Sequence, residues 1–93
     1  MPARASYRFK IAGHAWQWVY RSLKRRKLHG LCDYSSRTVS ICSSTTGLER
    51  LDTELHEALH ACQAFASEEH VAETATTLAT ILWQLGYRLT EER

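Results

Sequence analysis

Thr38-Val39-Ser40-Ile41-Cys42 and, five residues on, Leu48-Glu49-Arg50-Leu51-Asp52-Thr53-Glu54-Leu55-His56-Glu57-Ala58-Leu59-His60-Ala61-Cys62 carry a change of period that decides the fold. In the first run Val39 and Ile41 alternate with Thr38, Ser40 and Cys42, which is the period of two that a strand imposes. In the second, Leu48, Leu51, Leu55, Leu59 and Cys62 recur at helical spacing and lay an apolar stripe along one side. The Ser- and Thr-rich segment Ser43–Gly47 between them reads as a loop.

Upstream of this junction the chain reads as β. Tyr7-Arg8-Phe9-Lys10-Ile11 alternates apolar and basic residues, and Ala12-Gly13-His14 makes a turn in which Gly13 takes positive φ. Trp16, Trp18 and Tyr20 fall on one side of the next run, favouring a second strand and a hairpin; a short helix over Trp16–Lys27 is the competing expectation. Lys24–Gly30 reads as a basic loop, Leu31–Tyr34 as a short strand and Ser35-Ser36 as a turn. Downstream, Ser67 is expected to cap a second helix. Val71, Ala75, Leu78, Leu82 and Leu85 continue its apolar face to Gly86, placed at C′. The 93 residues are expected to form one domain with frayed ends at 1–6 and 90–93.

Composition narrows the class. No stretch approaches the roughly 18–20 apolar residues that span a bilayer, and Met1-Pro2-Ala3-Arg4 lacks a signal-peptide core. No membrane association and a cytoplasmic location are therefore expected. Cys32, Cys42 and Cys62, odd in number and without a C-x-x-C pair, are expected to be reduced and partly buried. Residues 1–46 carry nine Lys/Arg against the single Asp33, whereas residues 47–93 carry three Arg against nine Asp/Glu. Arg21, Lys24, Arg25, Arg26 and Lys27 form the dense patch, read either as a nucleic-acid contact or as solvated loop surface.

The chemistry concentrates in His56-Glu57-Ala58-Leu59-His60. Positions i and i+4 lie one above the other on a helix, so two imidazoles can hold one metal ion while Glu57 reaches its water. A catalytic zinc takes a third protein ligand and leaves a position open. Glu68, Glu69, His70 and Glu73 are the candidates, and the extended spacing with a third histidine is absent because Gln63 and Ala66 occupy those positions. Glu69 is preferred because it precedes Ala72 by three residues and Ala75 by six, in the helix's first turn. Glu57 is the expected general base, and Tyr34, Tyr87 and His70 are candidate oxyanion donors. Strand Thr38–Cys42 is expected to hold an extended peptide by strand addition. His14 and His29 have no partner at ligand spacing and are assigned turn or surface roles.

The segments Leu51–Ala61, Ser67–Val71 and Leu82–Arg88, with Gly30-x-Cys32-Asp33 upstream, resemble small phage- and prophage-encoded zinc metallopeptidases. More loosely, they are similar to the minimal gluzincin core of SprT-like and ImmA/IrrE-like proteins. The resemblance implies an α+β, minimal zincin-like fold in which an antiparallel or mixed sheet of three to four strands packs on two C-terminal helices. It also implies Zn2+ as cofactor, a protein or peptide substrate, and the cytoplasm of a host cell as the site of action. In the ImmA-like pattern the third ligand is a Glu that opens E-x-x-A, which Glu69-His70-Val71-Ala72 matches. The expectation is thus a zinc-dependent hydrolase with His56, His60 and Glu69 as ligands. The rival is a non-catalytic, zinc-stabilised protein that contacts nucleic acid or a protein partner through its basic half.

Overall fold

A computed structural model describes residues 6–89. β1 (Ser6–Ile11) and β2 (His14–Arg21) form the expected antiparallel hairpin. Both turn residues, Ala12 and Gly13, have positive φ (51° and 83°), the geometry that matches the twist of the flanking strands. β2 thus prevails over the competing helix, and only a short 3-10 turn at Lys24–Arg26 interrupts the basic loop. β3 (Gly30–Asp33) and β4 (Thr38–Cys42) follow, then α1 (Gly47–Cys62) and α2 (Glu68–Gln84).

The fold is α+β, with a mixed sheet in the order β1-β2-β4-β3. β4 runs parallel to β2 and antiparallel to β3. It is therefore an inner strand paired along both edges and has no edge on which to receive a peptide. The sheet edge on this side is β3, not the strand Thr38–Cys42 expected to hold a peptide. Burial agrees: Val39, Ser40, Ile41 and Cys42 are all buried, where alternation suggested one wet face.

One face of the sheet carries Trp16, Trp18, Val39 and Ile41, which close with Ala61 of α1 into the hydrophobic core. The other face has no helix over it. α1 packs on the sheet and α2 packs on α1. The most buried line of α1 is not its leucine stripe. Arg50, Glu57 and Ala61 are the buried residues, while Leu51, Leu55 and Leu59 are half-buried and Leu48 is 40% exposed. Two charged side chains therefore lie on a helix face that periodicity alone would assign to solvent.

α2 begins as its sequence specifies. The Ser67 hydroxyl accepts the His70 N–H at 3.1 Å, capping the first turn, and Val71, Ala75 and Ala79 are buried at spacing four. Gly86 follows with φ 98° at C′. Of the ends expected to fray, residues 1–5 and 90–93 lie outside the described residues, and Ser6 belongs to β1. All three cysteines are free thiols; Cys42 is buried, Cys32 half-buried, and Cys62 exposed rather than partly buried. Among the described residues, no helix is long and apolar enough to cross a membrane.

Candidate metal centre

His56 and His60 stand one turn apart on α1 with ring centroids 4.9 Å apart. Residues 63–67 turn the chain back, so α2 delivers its first residue, Glu68, to this pair. One Glu68 carboxylate oxygen lies 3.0 Å from His56 Nε2 and the other 2.8 Å from His60 Nε2. The three residues form a cluster whose ligand atoms all lie within 4.8 Å of one another. Two imidazole nitrogens and a carboxylate are a donor set suited to zinc.

Glu69, the ligand expected from the sequence, is not in this cluster. The reason is helical phase. Val71 and Ala75 fix the inward line of α2, and Glu68 precedes them by three and seven residues, on the same side. It also shares a side with Ala72 and Thr76, which line the same groove. Glu69 lies a further 100° round the helix axis. Like His70 and Glu73, it is exposed.

Glu57 is 8% exposed and lies between α1 and the sheet. Burial pushes its carboxyl above the ordinary carboxylate range and Glu68 adds to that, while His56 and His60 pull it down. Among the described residues, no side chain or backbone group donates a hydrogen bond to it. Gly30 of β3 makes room for it: a Cβ there would meet Glu57 Cγ at 2.9 Å, Glu57 Oε2 at 3.0 Å and Thr53 Cγ2 at 2.8 Å. Gly30 is the site residue that periodicity could not identify, since only the close approach of α1 requires it.

These groups open on a groove of about 710 Å³ that runs between α1, the start of α2 and β3. Cys42 N–H donates to His29 O across β3 and β4 at 2.7 Å, which makes that pair hydrogen-bonded. By alternation, Leu31–Ser40 and Asp33–Thr38 are bonded pairs too, so Gly30 and Cys32 turn their backbone N–H and C=O to the open edge. Of the candidate oxyanion donors, Tyr34 lines the groove and donates to the His60 carbonyl at 2.7 Å. Tyr87 lines a different cavity and His70 lines neither. Lys27 and His29 stand at the groove's other end, where His29 Nε2 lies 3.7 Å from Glu49. His14 is exposed. No family model, curated protein or solved structure matches this chain.

Proposed function

We propose that this protein is a zinc-dependent metallopeptidase whose metal ligands are His56, His60 and Glu68 and whose general base is Glu57. The convergence of both Glu68 oxygens on the two Nε2 atoms, at 2.8 and 3.0 Å, carries the reading. Zinc, when bound, acidifies a water and polarises a carbonyl. The chain's residues do the rest. His56 and His60 hold a fixed spacing because they share a rigid helical turn. Glu68 opens α2, where the N-terminal end of a helix suits a negatively charged side chain.

Glu57 takes the proton of the attacking water and returns it to the leaving amine. Burial raises its pKa above the ordinary carboxylate range, the direction that favours accepting a proton. Gly30 and Cys32 offer an extended substrate backbone the pairing groups of the open β3 edge, so a peptide would lie antiparallel or parallel to β3 along the groove. Burial of the groove floor by α1 keeps the Glu57 carboxylate from bulk water, which strengthens its interactions with a bound ion.

The test is elemental analysis of purified protein together with hydrolysis of an unbiased library of quenched fluorescent peptides. Wild type is expected to hold one zinc per chain and to cleave. His56→Ala is expected to lose both properties, and Glu57→Gln to keep zinc and lose cleavage. A Glu57→Gln variant as active as wild type would remove the general base from the scheme. A zinc-loaded wild type that cleaves nothing would favour the non-catalytic, zinc-stabilised role.

A further inference from the structure

The sheet divides the molecule electrically. Between residues 6 and 46 there are eight Lys/Arg and one acid, Asp33, whose Oδ1 is occupied by Ser35 N–H and Oγ at 3.0 and 2.7 Å. Among the described residues, the helical layer presents no comparable field of cations. Arg50 is buried and donates to Ser43 O, and the Arg88 guanidinium lies 3.4 Å over the Trp83 ring.

Strand register shows where the cations go. Arg8 is opposite Gln17, which is opposite Thr38; Val19 is opposite Ser40, which is opposite Leu31. These residues share the face turned away from α1, and Lys10 and Arg21 join them by the period of two. The aromatic side chains Tyr7, Phe9, Trp16, Trp18 and Tyr20 all take the alternate positions, on the face turned toward α1. The Ser22–His29 connection folds back over the end of the helix-free face. Leu23, 3% exposed, anchors it there, with its N–H 3.4 Å from Cys42 Sγ. Arg26 consequently lines a shallow groove of about 420 Å³ on that face with Arg21, Gln17 and Thr38, and with Asp33, whose Oδ1 is held by Ser35 at the β3 end. Arg8, Lys10, Arg21 and Lys24 to Lys27 are all exposed, and among the described residues none pairs with a carboxylate.

We infer that this helix-free sheet face, with the Lys24–Arg26 turn at its end, is a binding surface for the phosphate backbone of duplex nucleic acid. A field of exposed cations without carboxylate partners gains by releasing the counterions condensed on a polyphosphate. The exposed Gln17 amide between the cations is a hydrogen-bond donor to phosphate oxygens. The aromatic stacking platform that single-stranded recognition uses is absent from this face, which directs the choice to an intact duplex read without regard to sequence. The surface lies across the sheet from the metal centre, so binding there leaves the α1 groove open. The inference does not depend on the peptidase reading.

Fluorescence anisotropy of a labelled 20-base-pair DNA duplex tests it, with the same-length single strand alongside. Wild type is expected to bind the duplex at least as well as the single strand, irrespective of base sequence. With about four phosphate contacts, affinity should fall roughly 100-fold between 50 and 200 mM salt. Lys24→Gln/Arg25→Gln/Arg26→Gln, which changes only exposed loop residues, should weaken binding at least ~10-fold at 50 mM salt. Arg8→Glu/Lys10→Glu on the sheet itself should do the same, and Glu69→Gln/Glu73→Gln on α2 should not. Circular dichroism melting of each variant separates loss of the surface from loss of the fold. Absence of duplex binding, both cation variants binding the duplex as tightly as wild type, or binding to phosphatidylserine vesicles tested alongside but not to the duplex would overturn the inference.

Discussion

Gly30 and Glu57 occupy space that admits no additional carbon: a Cβ on Gly30 would lie 2.9 Å from Glu57 Cγ and 3.0 Å from its Oε2. The neighbour on the other side, Thr53 Cγ2 at 2.8 Å, belongs to a β-branched side chain with little freedom to move. Gly30→Ala must therefore either displace the Glu57 carboxylate or separate β3 from α1. We expect a loss of about 1–3 kcal/mol of stability, the usual scale of overpacking. Turnover should fall further than zinc content, because Gly30 touches the base and not the ligands. Unfolding by urea, zinc analysis and peptide cleavage on one preparation check this together.

Glu68→Ala and Glu69→Ala distinguish two adjacent carboxylates. Removing Glu68 is expected to lower zinc affinity by at least ~100-fold, more than the usual cost of losing a residue that only supports a ligand. Removing Glu69 should leave affinity within a few-fold of wild type. Competition with a chromogenic zinc chelator gives both numbers. A reversed order would return the third ligand to Glu69 and require α2 to be rotated by one residue.

Cys32, half-buried beside the groove, has its thiol pushed up to about 11, chiefly by burial and then by the Glu57 carboxylate. At pH 8 only about one such thiol in a thousand is a thiolate, the form that reacts. Iodoacetamide should therefore label exposed Cys62 at least ~10-fold faster than Cys32. Peptide mapping over a time course measures the ratio, and equal rates would show that the groove admits water more freely than its burial implies.

Glu54 accepts a hydrogen bond from the Tyr20 hydroxyl at 2.5 Å, in the interface of α1 with the sheet. Burial raises its carboxyl pKa, with Tyr20 and Arg50 opposing. A folded-state pKa above the unfolded value means that the protonated form favours the fold. Its contribution is complete below about pH 4, the ordinary glutamate range, and is lost as pH rises through the raised folded value. Glu54→Gln keeps an oxygen for Tyr20 and does not titrate. Its stability relative to wild type should therefore increase from pH 4 to pH 7, as denaturant melts across that range will report.

Most of the local structure was legible because its signals act over a few residues. The alternation in Tyr7–Ile11, the Ala12-Gly13 turn, the Ser67 cap and the Gly86 stop each depend on neighbours in the chain. The proximity of His56 and His60 was legible for the same reason, since one helical turn suffices to bring them together. What required the fold was everything fixed by packing between elements. The inner position of β4 follows from its parallel pairing with β2, which no run of residues announces. The choice of Glu68 over Glu69 depends on a 100° step in phase, set by how Val71 and Ala75 seat against α1. The buried line Arg50, Glu57 and Ala61 defeats a hydrophobic reading, because Arg50 is hydrogen-bonded where it lies and Glu57 fits against Gly30.

The open edge of β3 also bears on solubility. An unpaired strand edge is a template for any extended chain, including another copy of the same protein. Two devices limit that here. β3 is only four residues long, and it is bracketed by the cationic Lys24–Lys27 loop before it and by Asp33 at its end. The opposite edge, β1, is six residues long and carries Arg8 and Lys10. Cations thus face cations when two β1 edges meet, or when β1 of one copy meets the Lys24–Lys27 end of β3 in another, which disfavours pairing of copies through those contacts.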